Sequence, residues 1–417
     1  MVSKFWREWR HPVEFALLLA LAFFLPLREA PKNLLWAAYL IAWLVNRRRS
    51  RDFGGPVDRW DLLFGALVIS GYLAAAFAGI RRGDGNEWLS VNDLLRYGSL
   101  FVCVRRAGYS APQSVALLGM LVGSCVLAEG EALWNWKVGG SRPRLELSSV
   151  GHVNHSAIYM TICLGIAGGL LLGYWRRLTP VTRALLCFAT LAMLTGLLLT
   201  GSRAAGAIGL LLLIGMAMLG ATYGGLGRGA WAAVLMTILI ALAGGGTEAI
   251  QRQIDNTLID NVLSERDLIW NRGLVAWRAH PWFGVGMDNY SQISDARLTG
   301  WLAQQGRAYV PAEYARAPHA HNLYFNTLVE RGIAGLSVLL ALLGAWALAL
   351  VRDRPDFARA GAGVALWCAS VAGWLVTAAI GMGNTTLHHE HAMLAVLTLA
   401  LWLGVRRRPA WRREPGP

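Results

Sequence analysis

The sequence predicts an all-α polytopic membrane protein with about 12 transmembrane helices and one long, partly helical loop between helices 9 and 10. Hydrophobic residues make up 55% of the 417 residues and charged residues only 15%, well below the roughly 25% of soluble domains. Apolar runs recur along the whole chain, and the mean hydropathy is +0.41. These observations exclude a soluble globular protein, a disordered chain and a disulfide-rich scaffold.

The net charge and the positions of the cysteines further narrow the possible classes of protein and ligand. The net charge of +14 indicates loop charges that set orientation, and a site for an anionic ligand, rather than nucleic-acid binding. The cysteines lie in or beside apolar runs without CxxC spacing, so we expect small hydrophobic residues and not disulfides or metal ligands. They are Cys103, Cys125, Cys163, Cys187 and Cys368.

The amino-terminal segment predicts a retained helix. Residues 1–10 are basic and residues 13–27 are apolar, as in a signal peptide. However, a charged stretch from Arg28 to Lys32 follows instead of a small-residue cleavage site, and a second apolar segment begins at once. We therefore expect the first helix to stay in the membrane.

The predicted spans follow from runs of mostly apolar residues, and each must be helical because lipid offers the backbone no other partner. They lie near 13–27, 33–46, 61–80, 92–104, 112–129, 155–174, 181–200, 203–220, 229–245, 332–351, 359–380 and 390–405.

Orientation follows from lysine and arginine. With the amino terminus in the cytoplasm and strict alternation, every tight basic cluster except Arg81-Arg82 falls on the cytoplasmic side. The prediction is therefore that both termini are cytoplasmic. The clusters are Arg47-Arg48-Arg49 with Arg51, Arg105-Arg106, Arg176-Arg177, Arg352 with Arg354, and Arg406-Arg407-Arg408.

Alternation divides the chain into three parts. Residues 1–245 form spans 1 to 9, residues 246–331 form the long loop on the extracytoplasmic side, and residues 332–417 form spans 10 to 12 with a basic tail. A loop of this length usually carries function or its own secondary structure. We expect helices over 250–263 and 267–278, the second ended by His280-Pro281.

Two arginine-bearing segments share the extracytoplasmic face. Ser202 opens the eighth span and is expected to cap it, and Arg203 adds a guanidinium beside the free N–H groups of the helix start. This pattern suits a phosphate, although a snorkelling arginine is the simpler alternative. In the segment 264–273, Arg266 and Asn271 are placed to reach a second anionic group; the alternative is an interfacial helix with internal ion pairs.

Two further segments of the long loop, 280–286 and the one around His321, carry candidate residues. The glycines of the segment 280–286 are typical of turns, so we predict a structural role for it. His321 lies where the loop returns to the membrane, and an imidazole there can accept a proton from a hydroxyl. The alternative is a capping histidine.

Histidine pairs elsewhere invite a metal interpretation that the spacing does not support. His152 and His155, with Asn154, and His388 with His391 have HxxH spacing, whereas helical zinc ligands usually lie four apart with a third ligand elsewhere. We expect these residues to line a polar crevice and predict no metal site. The sequence shows no extracytoplasmic carboxylate pair for Mg²⁺, no P-loop and no GxGxxG motif.

These segments, in this order, resemble the O-antigen ligase and O-antigen polymerase superfamily of bacterial envelope glycosyltransferases. The resemblance rests on the dozen spans, the long loop, GSRAA at 201–205, the segment 266–272 with HPWFGVG at 280–286, and HAHN at 319–322 followed by ERGIAGL at 330–336. GHVNHSAIY at 151–159 is similar to the ligase branch.

The resemblance implies a GT-C-like glycosyltransferase of the bacterial inner membrane, active at its periplasmic face in lipopolysaccharide biosynthesis. The implied donor is O-antigen polysaccharide on undecaprenyl pyrophosphate, the acceptor is lipid A–core, and no cofactor is required. By position, Arg203 and Arg266 would bind the pyrophosphate and His321 would activate the acceptor hydroxyl. Further substrate contacts would come from Arg272, Asn322, Asn154, His152 and Ser202.

Other functions remain open at this stage. A polymerase or a protein O-oligosaccharyltransferase would use the same donor with another acceptor. A transporter or flippase would show charges or helix breaks near the middle of the membrane, whereas the ionisable residues here lie mainly at one face. A purely structural subunit is the last alternative.

Overall fold

The computed structural model describes residues 11–142, 144–223, 266–359 and 361–407, and no strand occurs within these ranges. Two 3₁₀ turns, Tyr290–Gln292 and Pro311–Glu313, accompany the helices. The helices are α1 (Pro12–Phe24), α2 (Glu29–Ser50), α3 (Arg59–Ala76), α4 (Asn86–Leu89), α5 (Val91–Ala107), α6 (Ala111–Lys137), α7 (Val153–Tyr174), α8 (Pro180–Leu199), α9 (Arg203–Thr222), α10 (Arg266–Ala279), α11 (Asp295–Gln304), α12 (Leu323–Arg352), α13 (Ala362–Leu375, continued by a π-helical turn Val376–Ile380) and α14 (His389–Arg406).

Seven of these helices are long and apolar enough to cross a membrane: α3, α6, α7, α8, α9, α12 and α13 with its π turn. This confirms the all-helical, multi-pass class. Each of the other predicted spans overlaps one helix, except the span 229–245, which lies outside the described residues. The helices α1, α2, α5 and α14 are shorter or carry charged residues or histidines at their ends, so the number twelve stays a prediction.

The bundle has two chemically distinct ends. Helices α5 and α14 run in the same direction, because Asp93 contacts His389 where both begin and Gly404 packs on Arg105 where both end. We call the end that holds Arg105 the basic end, and the end where α14 begins the histidine end. Four of the predicted cytoplasmic clusters contribute described contacts at the basic end, through Arg47, Arg105, Arg106, Arg177, Arg406 and Arg407.

Helix α7 forms the centre of the bundle and is almost wholly buried. Small residues permit this close packing: Gly165 faces Ala372 and Gly169 faces Cys368, so α7 and α13 are antiparallel. Helix α9 lies parallel to α7, because Leu212 packs on Gly165 and Met216, one turn later, packs on Gly168. The first residue of α9 therefore lies at the histidine end.

A cap formed by residues 266–322 covers the histidine end. It has its own apolar core, separate from the core of the bundle, in which Tyr290 and Leu298 are fully buried. The segment 284–286 ties this cap to two helices. Val285 N–H donates to the carbonyl of Val329 in α12 at 2.9 Å, and Ile80 N–H, just after α3, donates to the Val285 carbonyl at 3.0 Å.

The loop boundaries differ from the prediction. Helix α10 matches the predicted helix 267–278, whereas the predicted helix 250–263 lies outside the described residues. The tenth span was predicted to begin at residue 332, but α12 begins at Leu323. Residue 332 is instead a break inside α12, where Gly332 adopts φ 64° and ψ −166°. The polar residues before the break hid this first part of the helix, because they contact the cap and α3.

All five cysteines are free, and the four buried ones pack as small hydrophobic residues, as expected, whereas Cys187 is exposed.

Candidate active site

Seven of the nine histidines of the chain gather at the histidine end. His155, in the first turn of α7, lies at their centre. Its ring centroid is 5.0 Å from that of His391, 5.8 Å from His152, 6.3 Å from His388 and 6.4 Å from His319. The separate histidine motifs of the sequence therefore form one group, and this agrees with the predicted polar crevice. The group consists of His152, His155, His319, His321, His388, His389 and His391.

His321 stands beside the turn 381–383, which joins α13 to α14. Its neighbour Asn322 caps α12 by accepting from the N–H of Phe325 at 2.9 Å, and its amide donates to the carbonyl of Met382 at 2.9 Å. The N–H of Leu323 donates to the Gly381 carbonyl at 2.7 Å. Two of these bonds hold the start of α12 to the turn and the third caps the helix, so Asn322 has a structural role in addition to any substrate contact.

Arg266 reaches the same turn from the cap. Its guanidinium lies against Gly383, where an added Cβ would be 3.4 Å from Nη1. Burial lowers the pKa of the His321 imidazole, and the nearby positive charge of Arg266 lowers that pKa further. The structure thus brings together Arg266 and His321, which are 55 positions apart in the chain.

Three residues of this end hold the strained left-handed backbone conformation. Asp288, His321 and His389 have φ of 58°, 50° and 45°. Only His11 and Arg51 share this property among the other non-glycine residues that the structure describes. Such conformations cost free energy and tend to occur where function requires a fixed side-chain direction.

The imidazoles of His319, His321 and His388 are held neutral. Burial, and then the charges of Arg266 and His152, lower the pKa of His321. Burial and neighbouring imidazoles lower the pKa of His319 to about 4, and burial with His389 lowers the pKa of His388 to about 4. A neutral imidazole can accept a proton, so His321 is in the required state for a general base near pH 7.

Arg203 opens α9 at the same end of the bundle. Helix α9 packs on the π turn Val376–Ile380, which leads directly into the turn 381–383. Arg203 therefore begins a helix that packs beside the turn 381–383, where Arg266 and His321 also lie. Ser202 occupies the N-cap position of α9, but its side chain makes no capping hydrogen bond, so the predicted cap is wrong.

Arg272 faces away from this site. It is 2% exposed, and its guanidinium donates to the carbonyl of Ala315 at 2.9 Å, to that of Ile293, and to Asp295 at 2.6 Å. At roughly 100° per residue, positions 266 and 272 fall on different faces of α10. Arg272 therefore holds the cap together, which contradicts the predicted substrate contact.

His152 and Asn154 lie at the start of α7. His152 is exposed and is the N-cap residue, and its Nδ1 accepts from the N–H of Asn154 at 3.2 Å. Both residues border the histidine group, so a substrate contact there stays a prediction.

A cavity of about 420 Å³ opens beside His319. Three carboxylates line it, from Asp93 in α5, Asp288 in the cap and Glu330 in α12, and no lysine or arginine is among its lining residues. The sequence shows no carboxylate pair here because these residues are far apart in the chain. An ionisable residue inside an apolar span was the available signal for Asp93.

A buried ion pair stands next to the cavity and was also missed. Lys32 of α2 and Glu390 of α14 contact each other with side chains 4% and 5% exposed, and the Ser149 hydroxyl donates to Glu390 at 3.3 Å. Lys32 falls between the first two predicted spans, and nothing in the local sequence indicates its partner.

This arrangement defines a class: a multi-pass helical membrane protein with an arginine- and histidine-bearing site under a cap at one end of the bundle. A comparison with protein families agrees with this class of protein. Residues 188–340 match a family model described as O-antigen ligase. This region runs from α8 into α12, contains Arg203, Arg266 and His321, and covers less than half of the chain. This match supports the resemblance to the O-antigen ligase and polymerase superfamily that the motifs indicate. A search of curated proteins gave no match.

Proposed function

We propose that the protein is an O-antigen ligase, which transfers O-antigen polysaccharide from undecaprenyl pyrophosphate to a sugar hydroxyl of lipid A–core. The family match over 188–340 supports transfer from a lipid-linked polysaccharide. The observation that carries the site is the meeting of Arg266 and His321 at the turn 381–383, with Arg203 opening the neighbouring helix at the same end.

The arginines act on the leaving group. The bond between the anomeric carbon and the pyrophosphate oxygen breaks, and its electron pair stays on the lipid pyrophosphate. Negative charge grows there as the bond breaks, so fixed guanidinium groups stabilise the transition state more than the ground state. Removal of one such oriented group typically costs about 100- to 1,000-fold in rate.

His321 acts on the acceptor. The neutral imidazole takes the proton of the attacking hydroxyl while the new bond to the anomeric carbon forms. A positioned base contributes roughly 100- to 10,000-fold. Direct attack by the hydroxyl inverts the configuration at the anomeric carbon.

The acidic cavity indicates that the pyrophosphate and the acceptor hydroxyl bind in different places. Three carboxylates without a lining cation would repel a pyrophosphate. The pyrophosphate therefore lies on the Arg266 side of the turn 381–383. His321 stands between the two regions, because its ring centroid is 4.3 Å from that of His319, which lines the cavity.

The proposed location is the bacterial inner membrane, with the basic end and both termini in the cytoplasm and the site at the periplasmic face. The gathering of the arginine clusters at one end supports this orientation through the positive-inside rule.

The test is transfer by the purified full chain in liposomes, with lipid-linked O-antigen as donor. Lipid A–core is offered beside a free glycan and a peptide acceptor, in the presence of EDTA. The expected product is lipopolysaccharide with inverted linkage. Longer donor glycans would indicate a polymerase, a glycosylated peptide would indicate a protein O-oligosaccharyltransferase, and donor movement across the membrane without transfer would indicate a transporter. Each of these results would overturn the ligase assignment.

A further inference from the structure

Two histidines and an aspartate meet on one wall of the acidic cavity. The Asp93 carboxylate of α5 has its Oδ2 3.1 Å from Nδ1 of His389 and 3.5 Å from Nε2 of His388. The three potential ligand atoms all lie within 4.8 Å of one another. No other group of three or more histidine, cysteine, aspartate or glutamate ligands meets this criterion in the part of the chain that the structure describes.

These separations are those of atoms around one metal ion. Zinc binds imidazole nitrogen and carboxylate oxygen at about 2.0–2.2 Å, so two ligands of a tetrahedral site are roughly 3.3 Å apart. The two measured distances lie on either side of that value. The two imidazole nitrogens lie within 4.8 Å of each other, so a rotation of the side chains would close the three atoms around an ion.

The surroundings also favour a cation. Asp288 and Glu330 line the same cavity as Asp93, and no lysine or arginine does. His155 and His319 line it too, so a fourth ligand can come from an imidazole or from water. Two imidazoles with one carboxylate are ligands suited to zinc and related transition metals rather than to magnesium or calcium.

The backbone holds one of the ligands in place. His389 adopts φ 45°, which is costly for a residue other than glycine. This conformation turns consecutive histidines toward one aspartate, and the ring centroids of His388 and His389 are only 3.6 Å apart.

We propose that Asp93, His388 and His389 form a binding site for one divalent transition-metal ion of the zinc type. The ion would join the start of α14 to α5 and fix one wall of the cavity. This site goes beyond the proposed transfer, and no step of that reaction passes through the ion.

The test is metal binding by the full chain, purified in detergent without a polyhistidine tag and stripped with chelator. Zn²⁺ is titrated by calorimetry, and Co²⁺ by its visible absorption bands. The wild type is expected to bind one equivalent. Asp93→Asn and His388→Gln are expected to bind more than about tenfold more weakly, since loss of a mere outer-shell partner already costs about 10- to 100-fold. His11→Gln, at the basic end, is the matched control and should bind like the wild type.

The outcomes separate this proposal from the alternative of simple aspartate–histidine ion pairs. Absence of stoichiometric binding by the wild type, or equal affinity in Asp93→Asn, would overturn the metal site. If Asp93→Asn does not fold, His388→Gln decides alone, because its side chain is 43% exposed and its replacement leaves the packing intact. No glycan substrate is present, so the result is independent of whether the protein is a ligase.

Discussion

The two ends of the bundle use charge in opposite ways. At the basic end, buried Arg105 binds both Asp58 and Asp61, Arg106 binds Asp61, and Arg406 binds Asp353 at 2.6 Å. At the histidine end, imidazoles face one another, and three carboxylates surround a cavity without a lining cation. The first end pairs its arginines with aspartates, whereas the second, apart from the Lys32–Glu390 pair, leaves carboxylates and imidazoles lining open space.

This difference separates structure from function. Paired arginines and aspartates lock neighbouring helices together, and their charges have little left to offer a ligand. The neutral imidazole of His321 lies on a strained backbone, which costs free energy, so its arrangement indicates binding or catalysis. If this division holds, variants at the histidine end change transfer, and variants at the basic end change stability.

The largest effect is expected from His321→Ala and Arg266→Ala. Each should lower the rate of transfer by about 100-fold or more, because each removes a group that stabilises the transition state more than the ground state. Arg203→Ala should behave alike. The measurement is transfer in liposomes, with membrane insertion checked by protease protection. Normal transfer by any of these variants would remove that residue from the mechanism.

Asp61→Ala should affect stability instead. It removes a partner of Arg105, which is 1% exposed, and of Arg106. We expect unfolding to become easier by roughly 3 kcal/mol, the low end for a broken buried pair, since Asp58 still binds Arg105. Asp356→Ala, in an exposed pair with Arg359, is the control and should cost less than about 1 kcal/mol. Denaturation in detergent measures both. A loss of transfer per folded Asp61→Ala molecule would contradict the division of the ends.

Gly332→Ala should disturb the connection between cap and bundle. A Cβ at this position would overlap the carbonyl of Trp282 and the nitrogen of Phe283, and φ 64° is unfavourable for alanine. We expect a loss of roughly 1–3 kcal/mol and reduced transfer, as the cap carries Arg266. Gly344→Ala lies in the same helix with open space around it and should gain up to about 1 kcal/mol. Equal effects of the two variants would show that the break in α12 is not needed.

The smallest effect is a shift in pH dependence. The charge of Arg266 helps to lower the pKa of His321, so the wild type should keep its activity below the usual histidine pKa and lose it only as the imidazole becomes protonated at lower pH. Arg266→Gln removes that charge, so the acid limb of kcat/KM should move to higher pH. Arg266→Lys keeps the charge and should leave the limb in place. An unchanged limb in Arg266→Gln would indicate that His321 is not the titrating base.

Much of the site was predictable, because the alternation of membrane spans assigns each loop to one of the two ends of the bundle. Arg203, Arg266 and His321 were assigned to one face from the alternation of spans, and the structure places all three at one end. Asp93 was missed because a single charge within a span carries no indication of its partner. Arg272 was misassigned because its spacing from Arg266 along α10 does not show which face meets the cap.

The sequence by itself determined the helices and their order, because hydropathy and lipid together leave no other backbone arrangement. It also determined which charges share an end, since alternation is strict once the spans are known. Only the tertiary structure decided how each helix is rotated and which neighbour it meets. That choice depends on contacts between small residues such as Gly165 and Ala372, far apart in the chain, whose energies no local pattern records. For this reason the arginines and His321 could be grouped from the sequence, whereas the acidic cavity and its histidine–aspartate wall could not.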